Sequence, residues 1–284
     1  MSAFALSLLL AAGGMHAVWN LLLKQSANRL VVTWLALSVG SLLFLPVLLA
    51  SPTPWAMWPF VAASAVVECL YYLLLMYAYG QADFSLVYPM ARGAAPALLA
   101  IWTILLLKQV PSAAGAAGML LVVVGLVPVG GGEVWWRWSG PQFRSRGVAA
   151  AFGVALCTSV YSLIDGVAVR RTAPAPYTVA VLVLASLLLG PVVLARYGGR
   201  AVAAELRRSA LKIAAAGALM LLAYTLVLRA YAVAPLAYAG AIREVSVVIA
   251  ALAGWLWLGE RFGARRLAGA VAVFAGIVIL AVLG

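Results

Sequence analysis

The sequence predicts an all-α membrane protein: ten transmembrane helices forming two inverted five-helix repeats around a central cavity. Three observations predict it. The chain is 67% hydrophobic and only 9% charged, with a mean hydropathy of +1.11, whereas a soluble domain carries about 25% charged residues. Apolar stretches of spanning length, roughly 17–25 residues, follow one another with little chain left over. And charge is buried in apolar sequence once in each half: Arg92 lies within 84–107, and Arg243 with Glu244 lies within 236–258. A lone cation at mid-bilayer costs about 3 kcal/mol on insertion scales, so it faces a protein interior or a water-filled cavity.

The spans read as 3–23, 31–50, 57–80, 84–107, 111–129, 147–169, 176–195, 210–232, 235–258 and 263–283. Residues 3–23 read as a first spanning helix rather than a leader, because Met1–Ser2–Ala3 carries no cation. Ser51-Pro52-Thr53-Pro54 and Pro174-Ala175-Pro176 mark breaks between spans. The longest polar-leaning stretch, Gly130 through Arg146, carries Trp135, Trp136 and Trp138, which suit the headgroup layer. It falls near the middle of the chain. The expected organisation is therefore a first repeat over 1–130, a connection over 131–146 and a second repeat over 147–284.

The two halves share a pattern. Tyr79, Arg92, Gly118 and Gly125 are followed in the second half by Tyr231, Arg243, Gly269 and Gly276, with nearly equal spacings. Lys108-Gln109 closes the fourth span much as Glu260-Arg261 closes the ninth. Five helices per copy is an odd number, so the second copy enters the membrane in the opposite sense, with sites expected at the midplane. Small-residue stripes such as Gly147, Ala151, Ala155 and Ala268, Ala272, Gly276 allow close helix packing.

The net charge is +12. The cations gather at the ends of apolar runs, which topology explains better than nucleic acid does. Thirteen Lys and Arg residues fall after odd-numbered spans and four after even-numbered ones. The positive-inside rule then puts the odd connections in the cytoplasm and both termini outside. Cys69 and Cys157 lie in apolar runs, and His16 is the single histidine, so neither a disulfide framework nor a metal centre is expected. No cofactor is expected, and the absence of a G-x-x-x-x-G-K-[ST] loop removes ATP as direct driver.

The strongest local signal is Tyr88-Pro89-Met90-Ala91-Arg92-Gly93, closed by Pro96. Tyr88 and Arg92 share a helix face, and the prolines remove backbone donors. A broken helix with a cation at mid-depth suits a substrate site. Arg92 is expected to hold an anionic group, or else to pair with Glu68, Asp165 or Glu244. Arg243 and Glu244, about 100° apart on a regular helix, should not pair with each other; Arg243 is expected at the site or at a gate. Glu68, in line with Tyr72 and Tyr79, is either a candidate proton carrier or a hydrogen-bonded structural acid. His16 and Asn20 share a face, and His16 is either a proton shuttle or an interhelical hydrogen-bonding group. Asp165, four residues after Tyr161, sits roughly where Asn20 sits in the first half. Tyr88, Trp102, Tyr161 and Tyr224 are the aromatic residues expected near a cavity. Substrate contacts are thus expected from Arg92, Tyr88, Trp102, Tyr161, Tyr224, Arg243, His16 and Asn20. Proton coupling or gating is expected from Glu68, Asp165, Glu244 and His16.

Over essentially its full length the chain resembles the ten-helix EamA-like permeases of the drug/metabolite transporter superfamily. The resemblance rests on His16-Ala17-Val18-Trp19-Asn20 with Lys24, on Tyr88-Pro89 with Arg92-Gly93, and on Arg243-Glu244 followed by Gly254 and Gly259-Glu260-Arg261. Leu107-Lys108-Gln109 departs from the Gly-Glu usual in the first copy. The resemblance implies a basket of helices, alternating access and small organic metabolites such as amino acids, commonly exported across a bacterial inner membrane. The alternatives are a membrane-embedded enzyme, for which neither a G-x-S-x-G motif nor a close aspartate pair is present, and a channel-like pore, for which no filter or ring of like charge is evident.

Overall fold

The computed structural model describes residues 1–24, 28–81, 84–129, 146–258 and 263–284. Among them every regular element is helical. The helices are α1 (Ala3–Lys24), α2 (Arg29–Ala50), α3 (Trp58–Gln81), α4 (Phe84–Leu107), α5 (Ala113–Val129), α6 (Arg146–Ala168), α7 (Pro174–Tyr197), α8 (Gly199–Val233), α9 (Leu236–Ile242), α10 (Val245–Leu258) and α11 (Ala264–Val282), with a 3-10 turn at Trp55–Met57. Among the described residues nine candidate spans are long and apolar enough to cross a bilayer, α9 and α10 together making one of them; α5 is a shorter apolar helix. Leu42, Leu49, Leu106, Phe152, Leu187 and Phe274 lie exposed along the helix surfaces, as a lipid-facing belt requires. The chain is a multi-pass membrane protein. The expected connection over 131–146 and its three tryptophans lie, Arg146 apart, outside the described residues.

The eighth span proper begins after the kink at Ser209 (φ −128°, ψ 21°), in line with the expected start at 210, but it is preceded by a helical segment from Gly199 that the sequence presents as a connection. The Ala-rich 201–208 segment is helix-forming in spite of its cations. The expectation of a broken helix at Arg92 needs correction, because the break lies in the other half: α4 runs unbroken through Pro89 and Pro96, while the ninth span is interrupted at Arg243–Glu244. There the Glu244 amide reaches back three residues to the Ala241 carbonyl at 3.1 Å, and the Val247 amide does the same to Glu244 at 2.9 Å. These 3-10-like bonds mark where the regular α-helix is interrupted, at the two adjacent charged residues.

Packing pairs the helices across the chain's midpoint. α1 lies on α8 and α3 on α6; α2 lies on α7 and α5 on α11; α4 meets α6 and α9, while α1 meets α10. The α5–α11 crossing is closely packed along its glycines. A Cβ on Gly118 would stand 3.0 Å from the Gly276 carbonyl, and one on Gly125 would stand 2.8 Å from the Gly269 carbonyl. These glycines let two backbones touch where any side chain would hold them apart. Gly40 of α2 meets Gly217 of α8 in the same way, its Cβ position 2.5 Å from the Gly217 carbonyl. The Met1 ammonium donates to the Ala281 carbonyl at 3.1 Å, so the start of α1 and the end of α11 lie at the same end of the helix bundle.

Candidate functional site

The break in the ninth span supplies the centre of a buried charge network. Arg92 of α4 places its Nε 2.9 Å from Glu244 Oε2. Its Nη2 donates to the hydroxyl of Ser246, two residues further on, at 3.0 Å. Glu244 is wholly buried, while the Arg92 and Arg243 side chains keep 12% and 11% exposure. Neither arginine sits at the outer rim, and neither is sealed. The Arg243 Nε stands 3.6 Å from Glu244 Oε1, against the expectation that these neighbours do not pair; the side chains are long enough for their heads to meet at the interruption of the helix. Arg243 Nη1 also donates to Ser162 of α6 at 3.2 Å. One carboxylate thus stands between two guanidinium groups, one from each half of the chain. A buried carboxylate needs such partners, because an uncompensated charge in low dielectric costs several kcal/mol.

A second polar cluster adjoins the first through α6. Asp165, fully buried, accepts a hydrogen bond from the Tyr177 hydroxyl of α7 at 2.7 Å and another from the Tyr224 hydroxyl of α8. Glu68 of α3 is 5% exposed and is an electrostatic neighbour of Asp165, Tyr224 and Arg243. Its Oε2 is buried without a hydrogen-bond partner among the described residues. Tyr161 stacks edge-on between Tyr71 and Tyr224, with ring centroids 6.1 Å and 6.2 Å away. Trp102 of α4 donates its indole N–H to Ser159 of α6 at 3.0 Å, which fixes α4 against α6 just beside this cluster. The arrangement offers positive groups at one end, carboxyl groups at the other, and tyrosine faces between them.

The structure therefore brings together Arg92, Arg243, Glu244, Glu68, Asp165, Tyr161 and Tyr224, with Trp102 at the flank. The Tyr88 side chain lies outside the described residues, as do the Tyr79 side chain and the Gly259-Glu260-Arg261 segment. His16 is close enough to Arg92 and Arg243 to feel their charge, and it stacks edge-on with Trp19 at 4.8 Å. Asn20 instead spends its side-chain amide on the His16 carbonyl of its own helix, at 2.8 Å. Sequence reasoning missed Ser162, Ser246 and Tyr177. Helical spacing carried a signal for two of them: Ser162 precedes Asp165 by three residues, and Ser246 follows Glu244 by two, across the break. Nothing in the sequence ties Tyr177 to Asp165.

A pocket of about 820 Å³ opens elsewhere, between the α4–α5 connection, the α6–α7 turn and the α8–α9 junction. None of the residues expected at the substrate site lines it.

Comparison with known proteins agrees with this architecture. Residues 145–282 match the EamA-like transporter family. A solved crystal structure superposes with a TM-score of 0.74 at 18% identity, over 98% of this chain and 99% of that one. The likeness at that identity is one of fold. No curated protein matches the chain.

Proposed function

We propose that this chain, a member of the EamA-like transporter family by its second half, is a secondary carrier of small organic metabolites, amino acids foremost. In this reading two inverted repeats, 1–130 and 147–284, rock about a shared cavity and expose it to each side in turn. The family match over residues 145–282 and the apolar spans support a multi-pass membrane transporter; the solute and the cycle are the further part of the proposal. The helix pairings support two copies. Exchanging the halves turns the α1–α8 contact into α6–α3 and maps α2–α7 and α5–α11 onto themselves. The glycines agree: Gly118 and Gly125 correspond in sequence to Gly269 and Gly276, yet in space 118 meets 276 and 125 meets 269. A two-fold axis through the crossing has that consequence.

The observation that carries the reading is the single carboxylate of Glu244 held between Arg92 of one half and Arg243 of the other. A solute carboxylate entering the cavity competes with Glu244 for the same guanidinium groups. Such competition gives the ligand different affinities for the joined and separated arrangements, which is the condition for a ligand to drive a conformational change. Arg92 and Arg243 then position the anionic group. Tyr161, Tyr224, Trp102 and Tyr88 shape the cavity, and His16 and Asn20 border it from α1. Glu68 and Asp165 are the proton-coupling pair, while Glu244 is the gate. The charge bias puts the odd-numbered connections in the cytoplasm and both termini outside, in a bacterial plasma membrane.

The test is a ligand-stabilisation screen on the purified protein with amino acids, their conjugates, quaternary amines and organic anions. A ligand that binds only the folded carrier raises the melting temperature by mass action. Arg92→Ala leaves Glu244 paired with Arg243, so the fold persists and the shift with a carboxylate ligand disappears. An undiminished shift in folded Arg92→Ala removes Arg92 from the binding site.

A further inference from the structure

We infer that the pocket at the α4–α5 end is a second, anion-binding site, taking a carboxylate or a phosphate at Lys108 and Arg170. Its position beside the half-helix α9 makes it a vestibule to the central site. That role rests on the carrier reading; the ligand class rests on the pocket alone.

Four observations lead there. First, the pocket is large enough, at about 820 Å³, for a small organic solute, and its lining holds two cations and no acid. The described connections at this end of the molecule, 51–57, 108–112, 169–173 and 234–235, contain no Asp or Glu, so no side-chain carboxylate in them neutralises the field of the two cations. Second, Arg170 is tied down: its Nη2 donates to the Ala234 carbonyl at 3.2 Å, which orients the guanidinium on the pocket wall and leaves further N–H groups for a ligand. Third, Lys108 stands at φ +56°, the one non-glycine residue with positive φ among the described residues. Residues 92, 118 and 125 correspond to 243, 269 and 276 at a constant offset of 151, and the same offset places Lys108 opposite Gly259. The first half thus keeps a lysine in a left-handed conformation at the position where the second half has the residue suited to it. Strain of this kind persists where a side chain is wanted for function. Fourth, Gln109 lines the pocket with its side-chain oxygen buried and unpartnered among the described residues. It is an acceptor waiting for an O–H or N–H beside the ligand's anionic group.

The floor of the pocket explains how occupancy would be felt further in. Tyr238 of α9 receives a hydrogen bond on its hydroxyl from the Ser112 amide at 3.0 Å, so α9 is latched to the start of α5. The other end of α9 runs into Arg243 and Glu244. A solute held at Lys108 and Arg170 therefore rests on the short helix that carries the central ion pair.

The chain has only three lysines, Lys24, Lys108 and Lys212, and this makes the test direct. Lysine acylation is followed residue by residue by mass spectrometry, on the full protein in phosphatidylcholine nanodiscs. The probes are mandelate (a carboxylate with an adjacent hydroxyl), phenylacetate (the carboxylate alone) and the neutral phenyl ethylene glycol, each at matched ionic strength. Mandelate is expected to slow Lys108 acylation saturably and to leave Lys212 unchanged. Phenylacetate should protect more weakly and the neutral diol not at all. Arg170→Gln should weaken protection by about tenfold, the loss of one charge-assisted contact. A parallel arm replaces part of the lipid with phosphatidylglycerol. Protection by that lipid without a response to mandelate assigns the anion as a headgroup phosphate; protection by mandelate in phosphatidylcholine assigns it as a free solute. No protection in either arm, or protection unaltered in Arg170→Gln, overturns the site. The readout needs no transport, so its failure is distinct from a failure of Arg92-dependent ligand binding in the central site.

Discussion

The α3–α6 and α1–α8 crossings occupy matching places in the two proposed repeats, yet they are chemically opposite. At α3–α6, Asp165 takes hydrogen bonds from Tyr177 and Tyr224, and Glu68 lies buried beside it. At α1–α8, the residue matching Asp165 is Asn20, whose amide is absorbed by its own helix. The position matching Glu68 is Met220, 7% exposed. In the proposed two-repeat reading the frame is shared and the chemistry is not. Packing constrains both copies equally, because each crossing must close against the other half. Charge constrains only one, because a second pair of buried acids would add a desolvation cost of several kcal/mol without another arginine to meet it. A carrier built from two copies can therefore have one polar wall and one apolar wall, which suits an amphipathic solute.

The largest effect should come from Asp165→Ala. Two buried tyrosine hydroxyls would lose their acceptor, at a combined cost of about 3 kcal/mol or more. Asn20→Ala at the matching position should cost within about 0.5 kcal/mol, since only a local bond is lost. Unfolding of both variants in detergent micelles measures the difference, and equal losses would mean that the two crossings are not opposites. Next in size is Met220→Glu, expected to cost about 3 kcal/mol because the apolar crossing offers the carboxylate nothing. The reverse change, Glu68→Met, should be neutral or stabilising, since replacing a buried charge by an apolar group of similar volume often is. If Met220→Glu were tolerated, the α1–α8 crossing would have to contain water or a cation partner.

Much of this asymmetry was legible in the sequence, because it is written in residue types that membranes rarely admit. Arg92, Glu68, Asp165 and the Arg243–Glu244 pair stood out by cost alone, and the structure gathers them. The span limits were legible for the same reason: apolar runs end where charges and prolines begin. What escaped was geometry that depends on tertiary partners. The break at Arg243–Glu244 contains no proline or glycine, and it coincides with the two charged heads that meet partners on α4 and α6. The prolines of α4, a conventional break signal, left the helix whole. Tyr177 gave no sign of its role, since a tyrosine near the start of a span is usually an interfacial anchor. The helical start of α8 was hidden behind its arginines, which read as a connection.

The shared frame can be tested separately from the chemistry. Gly125→Ala would push a Cβ to 2.8 Å from the Gly269 carbonyl, and Gly269→Ala would meet Pro128 Cγ at 2.5 Å and the Gly125 carbonyl at 2.6 Å. Each should destabilise by about 1–3 kcal/mol as the backbones separate. The two costs should be similar and far from additive, because the first alanine already opens the crossing that the second would open. A double-mutant cycle reads this directly, and strict additivity would mean that the glycines serve unrelated contacts.

The smallest effect has the opposite sign. If Lys108 holds a left-handed backbone for the sake of its ammonium group, then Lys108→Gly removes strain and should stabilise the protein by about 1 kcal/mol. That gain is offset in part by the greater freedom of glycine in the unfolded chain. The same substitution should leave Arg92-dependent ligand stabilisation in place while lowering transport of carboxylates at low solute concentration, where recruitment limits the rate. Raising the ionic strength should narrow the difference between Lys108→Gly and the parent, because screening weakens attraction between exposed charges. A stabilised variant with unchanged carboxylate transport at every ionic strength would make Lys108 a tolerated defect of the first copy, and the two copies would then differ only at the α3–α6 wall.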